Sequence, residues 1–307
     1  MEKFEVGFIG LGRMGKNMVS RILRSGEVDV YAWNRSSGPK EEVKNLGAKI
    51  PDSIKELVDS LKQERKVVWL MLPSGDITEN YFEKVLNLLN PEDILIDGAN
   101  SNFRDTLKRF EKAKSKGVKM MDVGVSGGII AAKRGYPMMV GGEKNDYEYV
   151  LPLFKSFGIK EGFDLVGPNG AGHFVKMVHN AIEYGMMEAI TEGFNLLKEG
   201  PFEDLDLYNI SSIWNHGTII SSFLIEMTKN GLEQDPELKK LKPFVSDSGE
   251  GRWAVKEAID AGVPFEVNSA AVFSRFRSQI AETNYANKLL AAIRNQFGGH
   301  AVKTKEK

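Results

Sequence analysis

The sequence predicts an α/β domain over residues 1–170 followed by an all-α domain over residues 171–307. Up to about Gly170, short apolar runs alternate with longer helical patterns, the rhythm of βαβ units in a parallel sheet covered on both faces. A glycine cluster, Gly10-Leu-Gly12-Arg-Met-Gly15, falls where the first strand should hand over to the first helix. Beyond Gly172 the strand signature stops and apolar residues recur at helical spacing. A chain of 307 residues suits two domains, taking about 100–200 residues for each.

The elements follow in order. Phe4 to Ile9 reads as a buried strand, Gly15 to Ser25 as a helix and Val28 to Trp33 as a second strand. Val67 to Leu72, Ile94 to Asp97, Lys119 to Val123 and Pro137 to Val140 read as further strands. From Gly172 to Leu197 the chain lacks proline and places Phe174, Val178, Ile182, Met186 and Ile190 at helical spacing, a long helix for a globular protein. Further helices are expected over Leu207 to Trp214, Ile219 to Lys229, Trp253 to Asp260 and Val267 to Asn295, punctuated by glycine and proline. The charged end, Lys303 to Lys307, should be mobile.

Composition narrows the function classes. Formal net charge is −1, from 41 basic and 42 acidic residues, so nothing draws the chain globally to nucleic acid or anionic lipid. Cysteine is absent, which excludes disulfides, thiolate metal sites and a cysteine nucleophile. The N-terminus has acidic residues ahead of a very short apolar run, unlike a secretory signal. No stretch approaches the ~20 consecutive apolar residues that span a bilayer. The expected compartment is the cytoplasm, with neither membrane nor nucleic acid as a partner.

The glycine cluster has the strand–turn–helix context of a dinucleotide fingerprint, which makes the first domain Rossmann-type. Gly10 permits the tight turn, Gly12 lets backbone approach a pyrophosphate, and Gly15 allows close helix–strand packing. The helix N-terminus offers N–H groups and partial positive charge to the phosphates, so Leu11, Arg13 and Met14 belong to the same site. NAD-preferring sites usually carry a carboxylate about 20 residues on, at the end of the second strand. Here the chain reads Trp33-Asn34-Arg35-Ser36-Ser37. Without that carboxylate, and with Arg35 able to grip a 2′-phosphate, NADP is favoured over NAD.

The most informative stretch runs from Gly170 to Tyr184. On one helix, Lys176, His179, Asn180 and Glu183 recur at steps of three and four and share a face. Such a set makes a poor core face and a good site wall. This helix, Phe174-Val-Lys-Met-Val-His-Asn-Ala-Ile-Glu-Tyr184, resembles the signature helix of the 6-phosphogluconate dehydrogenase family, within the β-hydroxyacid dehydrogenases. Asp97-Gly-Ala-Asn100-Ser101 resembles the family's D-G-G-N-S loop, and Gly124-Val-Ser126-Gly127-Gly128 its substrate loop. Met138-Met-Val-Gly141-Gly142, Val272-Phe-Ser-Arg275 and Arg294-Asn-Gln-Phe-Gly-Gly-His300 are similar to three further motifs. Asp247-Ser-Gly-Glu-Gly-Arg252-Trp253 resembles a shortened form of a fourth. The resemblance spans the whole chain and places it with the short form, which lacks a duplicated helical domain.

That resemblance implies oxidative decarboxylation of 6-phosphogluconate to ribulose 5-phosphate, with no metal. Lys176 would be base and then acid, and Glu183 would protonate the enediol. Leu72 and Asn100 would join the cofactor site. Asn100, Ser126, Gly127, Gly128, His179 and Asn180 would hold the substrate's carboxylate and hydroxyls. Tyr184, Arg275, Arg294 and His300 would hold its phosphate. The family's phosphate-site lysine falls in the shortened segment, with Arg252 or Lys256 as substitutes. Since the family's tail serves a partner subunit, a homo-oligomer with shared active sites is implied. The competing readings are another β-hydroxyacid dehydrogenase, of the 3-hydroxyisobutyrate or tartronate semialdehyde type, and a dinucleotide sensor without catalysis.

Overall fold

The computed structural model describes residues 3–280 and 284–304. The chain forms two compact units, Met1–Met177 and Val178–Lys307. In the first, β1 (Phe4–Ile9), α1 (Arg13–Ser25), β2 (Val28–Trp33), α2 (Ser37–Lys44), α3 (Ile54–Ser60) and β3 (Val67–Leu70) come in order. They are followed by α4 (Asp76–Leu86), β4 (Ile94–Asp97), α5 (Phe103–Ser115) and β5 (Lys119–Val125), then α6 (Ala131–Arg134), β6 (Tyr136–Gly141), α7 (Lys144–Phe157) and β7 (Gly158–Gly167). The strands form one seven-stranded sheet in the order β2-β1-β3-β4-β5-β6-β7.

Strands β1–β5 are parallel, and the central pair β3 and β4 is buried on both sides. In β3, Val67 and Trp69 enter the apolar cluster on one face, while Val68 and Leu70 enter the cluster on the other. A continuous apolar run is therefore what a central strand needs. Trp69 anchors the first cluster, stacked 6.0 Å from Phe8 and edge-on to Phe157 at 5.5 Å. Helix α1 ends where Gly26 takes a left-handed φ of 73° and its N–H returns to the Leu23 carbonyl.

Two features of this unit depart from expectation. The sheet is mixed, because β6 runs antiparallel to β5. The link from Val125 to Tyr136 holds only a short turn and α6, less than the dozen or so residues a parallel crossover takes. The edge strand β7 is not expected from the sequence at all. It carries exposed Lys160 and Glu161 and half-buried positions, so it lacks an apolar run. Charge on an edge strand discourages stray pairing, and it also hides the strand from pattern reading.

Helix α8 (Ala171–Glu199) begins in the first unit and continues into the second. The second unit adds α9 (Leu207–Trp214), α10 (Phe223–Gln234), α11 (Glu250–Ala261), α12 (Glu266–Ile280) and α13 (Tyr285–Gly298). It is helical throughout its described elements, as expected. The single helix expected over 267–295 is two helices. Asn284, in extended conformation with ψ −174°, starts α13 afresh, and residues 281–283 lie outside the described ones. Helix α10 starts later than its apolar pair Ile219-Ile220 suggests, because Ser222 caps it, its hydroxyl accepting the Ile225 N–H at 3.2 Å. No described helix is long and apolar enough to cross a membrane. The Lys303 carbonyl accepts the Lys242 N–H at 2.8 Å, so the start of the charged end is tied down.

Candidate active site

Strand order reverses between β1 and β3, the position where open α/β sheets bind ligands beyond their strand ends. The loop after β1 is shaped for close approach. Gly10 has φ 103°, and a Cβ there would strike the Met71 carbonyl and the Leu72 side chain. A Cβ on Gly15 would strike the Gly10 carbonyl, so only glycine lets α1 seat on the loop. At Gly12, the N-cap of α1, a Cβ would meet nothing within 4 Å and no side chain caps the helix. That open helix N-terminus fits a pyrophosphate. Arg13 is exposed and Met14 half-buried beside it, while Leu11 is buried.

Asn34 holds this loop to the end of β2. Its Oδ1 accepts the Leu11 N–H at 3.0 Å, and its amide donates to the Ser36 carbonyl at 3.2 Å. Arg35 and Ser36 follow it, both exposed. Asn34 thus shapes the loop through the backbone, and Arg35 is the charged side chain next to it at the end of β2.

The loop after β4 is built on a buried ion pair. Asp97 is paired with Arg109 of α5, and Arg109 reaches Glu79 of α4 at 3.0 Å. Asp97 also accepts the Ala99 N–H at 3.0 Å and the Ser101 hydroxyl at 3.3 Å. Asn100, with φ 48°, exchanges two hydrogen bonds with Val125: its amide donates at 3.1 Å and its carbonyl accepts at 3.0 Å. These contacts set the loop beside the end of β5, where Ser126 and then Gly127 (φ 94°) and Gly128 (φ 56°) turn the chain.

Lys176 lies one turn into α8 and is 6% exposed. Its Nζ donates to the Ser126 hydroxyl at 3.0 Å. Below it Gly124 has no side chain, and a Cβ there would strike the Lys176 Cβ. Sequence reasoning misses the residues that seat this turn: Asp122, Thr106 and His173, all buried.

In the second unit, His179 and Asn180 share a hydrogen bond at 3.0 Å, and Glu183 lies one turn further, 4.0 Å from His179 Nδ1. Tyr184, Arg275 and Arg294 come together in its interior, at 4%, 1% and 5% exposure. The Arg275 guanidinium stacks 3.1 Å above the Tyr184 ring, and its two terminal nitrogens have no hydrogen-bond partner among the described residues. Burial, with Arg294 nearby, pulls its pKa down to about 10. Arg294 is also lowered by burial and donates to the Ser246 hydroxyl at 3.1 Å.

Ser246 and Ser248, absent from the expected set, lie in and beside the shortened motif. The Tyr184 and Ser248 hydroxyls share a hydrogen bond at 2.9 Å. Gly251 makes room for the Tyr184 ring, 2.6 Å from where its Cβ would be. Of the two suggested lysine substitutes, Arg252 is bound to Asp247 at 2.6 Å and Lys256 is exposed. His300 follows α13 with its ring 6.1 Å from Phe297, and its carbonyl accepts from Asn295 at 3.0 Å. A buried guanidinium with donors unspent, as in Arg275, suits an anion.

Fold and loop geometry together define a dinucleotide-binding protein of the Rossmann class. Residues 5–167 match the NAD binding domain of 6-phosphogluconate dehydrogenase, and residues 172–307 match that enzyme's C-terminal domain. The chain belongs to the 6-phosphogluconate dehydrogenase family. The NAD(+)-dependent, decarboxylating 6-phosphogluconate dehydrogenase of Haloferax volcanii is 35% identical over 98% of this chain and 99% of its own length. The human decarboxylating enzyme is 36% identical over 97% of this chain but only 65% of its own length. The solved 6-phosphogluconate dehydrogenase of Plasmodium falciparum, studied with NADP+ and with 6-phosphogluconate, superposes with a TM-score of 0.82 at 28% identity. That match covers 94% of this chain and 70% of the solved one.

Proposed function

We propose that this chain oxidises and decarboxylates 6-phosphogluconate to ribulose 5-phosphate and CO2, with NADP favoured over NAD. The observation that carries the reading is the buried lysine, Lys176, held 3.0 Å from a serine hydroxyl on the strand-end loop. As a neutral amine, Lys176 takes the proton of the substrate's C3 hydroxyl. The dinucleotide, when bound, supplies the acceptor for the C3 hydride. The resulting β-keto acid breaks its C1–C2 bond, releasing CO2 and leaving the electron pair on the enolate oxygen, to which protonated Lys176 donates. Glu183 then gives a proton to the terminal carbon of the enediol while Lys176, neutral again, takes the proton of the C3 enol hydroxyl, leaving the ketone.

Around that chemistry, Asn100, Ser126, Gly127, Gly128, His179 and Asn180 hold the carboxylate and hydroxyls. Tyr184, Arg275, Arg294 and His300 hold the phosphate, where the unspent donors of Arg275 support the role. Gly10, Leu11, Gly12, Arg13, Met14, Gly15, Asn34, Arg35, Ser36, Leu72 and Asn100 form the dinucleotide site. The enzyme is assigned to the cytoplasm and to a homo-oligomer whose subunits share active sites. Exposed apolar side chains such as Ile219, Ile220 and Ile280 support the association.

The test follows nicotinamide reduction with 6-phosphogluconate, with NADP and NAD compared and CO2 trapped in parallel. Stoichiometric reduction and CO2 are expected, and Lys176→Met should abolish both while cofactor still binds. Folded protein that reduces neither cofactor with 6-phosphogluconate but turns over 3-hydroxyisobutyrate would overturn the substrate assignment.

A further inference from the structure

The start of α8 lacks its own cap. Gly170, in the N-cap position, has no side chain and a left-handed φ of 90°, while His173 stands three residues on, at N3. In a capping box, the N-cap side chain binds the N3 N–H and the N3 side chain binds the N-cap N–H. Here both bonds are made by one residue from another element. Asp122 of β5 accepts the Gly170 N–H at 2.6 Å on one oxygen and the His173 N–H at 2.8 Å on the other. Its side chain is fully buried, so these donors stand in for the water it has lost.

Side chains alternate along a strand, so Asp122, Gly124 and Ser126 line one face of the β5 end. Met121, Val123 and Val125 point the other way, into the apolar cluster around Trp69. Each of the three does one thing to α8. Asp122 holds its N-terminus, Gly124 admits the stem of Lys176, and Ser126 accepts from the lysine's Nζ. The contact is tight in both directions: a Cβ on Gly172 would lie 2.5 Å from the Asp122 carbonyl and 2.6 Å from that of Met139. His173 is fixed from its other side by Thr106, whose hydroxyl is 2.7 Å from Nδ1.

We propose that Asp122 is a positioning residue for Lys176: a capping box supplied from across the sheet, fixing the height at which the lysine meets Ser126. This rests on the assignment of Lys176 as the acid–base group. The cap lies in β5 and the lysine's hydroxyl partner follows its last residue, where the Ser126 N–H still donates to the Pro137 carbonyl at 2.9 Å, so the distance between them is set by the strand and its pairing with β6.

The experiment compares wild type with Asp122→Asn, which keeps one acceptor oxygen, and Asp122→Ala, which keeps none. Turnover of 6-phosphogluconate should fall in the order wild type, Asp122→Asn, Asp122→Ala, with a loss in kcat approaching 100-fold for the alanine variant. KM for the dinucleotide should stay within about twofold, because the Gly10–Gly15 loop is untouched. In parallel, Lys176 acylation by an N-hydroxysuccinimide acetate is followed by peptide mass spectrometry and normalised to exposed Lys144. Its rate should rise about fivefold or more as the first turn of α8 opens. A fall in overall stability alone would not produce that kcat-only loss in folded protein. Should the alanine variant fail to fold, the Asp122→Asn variant decides. Unchanged kcat together with unchanged Lys176 labelling in folded Asp122→Asn overturns the proposal. If wild type does not turn over 6-phosphogluconate, the substrate reading fails, and the labelling arm still decides whether Asp122 holds Lys176.

Discussion

Arg275 is kept charged in a place that penalises charge, so Arg275→Met should give a more stable protein and a worse enzyme. The residue is 1% exposed, and burial, with Arg294 nearby, draws its pKa well below the ordinary guanidinium value, to about 10. At about 1.4 kcal/mol per pKa unit, keeping the guanidinium charged costs the fold roughly 3 kcal/mol. Both values lie well above neutrality, so the cost is complete at pH 7 and is relieved only as pH rises through about 10. Stacking on Tyr184 at 3.1 Å returns about 2 kcal/mol. Methionine fills much of the same volume without charge, for a net gain of about 1 kcal/mol. In thermal unfolding without ligand, Arg275→Met should therefore melt a few degrees above wild type. On the proposed role of Arg275 at the substrate's phosphate, binding should lose what the fold gains: removing a buried charged partner costs about 2–5 kcal/mol, at least 30-fold in kcat/KM for 6-phosphogluconate. Inorganic phosphate should raise the wild-type melting temperature and leave that of the variant unmoved. A variant less stable than wild type by more than about 2 kcal/mol would refute the idea that this charge is held against the fold.

Two further substitutions probe the first unit. Arg35→Ala should lower kcat/KM with NADP about 10- to 100-fold while leaving NAD within about threefold, since only the 2′-phosphate loses a charged donor. Equal losses with both cofactors in initial-rate measurements would remove Arg35 from cofactor choice. Arg109→Met strands the buried carboxylate of Asp97, and urea unfolding should register a loss of about 3–5 kcal/mol. A change below about 1 kcal/mol would mean the carboxylate finds water or a proton at little cost.

What can be read in advance is what is written locally. β1, β2 and β4 are short apolar runs closed by glycine or polar residues, and their bounds agree with the structure. The Gly10–Gly15 loop declares itself because its glycines at the two ends answer clashes between neighbouring backbones. The site wall around Lys176 is legible from helical spacing and its apolar flanks, whereas the grouping of Tyr184, Arg275 and Arg294 follows from family motifs rather than from periodicity. The direction of β6 and the existence of β7 are not legible, since pairing is decided by connection length and by neighbours distant in sequence. Nor is the role of Asp122, which to a pattern reader is a polar break in an apolar strand. Its partners are the backbone of Gly170 and His173, and backbone donors leave no trace in a residue pattern.

The buried pair of Asp97 and Arg109 also bears on how such a sequence can drift. Losing either partner alone leaves an uncompensated charge inside the protein, whereas exchanging both for apolar residues can be nearly neutral. The two positions are then separated from their alternatives by a valley that single substitutions cannot cross cheaply. Selection would preserve the pair for longer than its net worth to the folded state warrants. Anyone redesigning the loop that carries Asn100 should change Asp97 and Arg109 in one step or leave both alone.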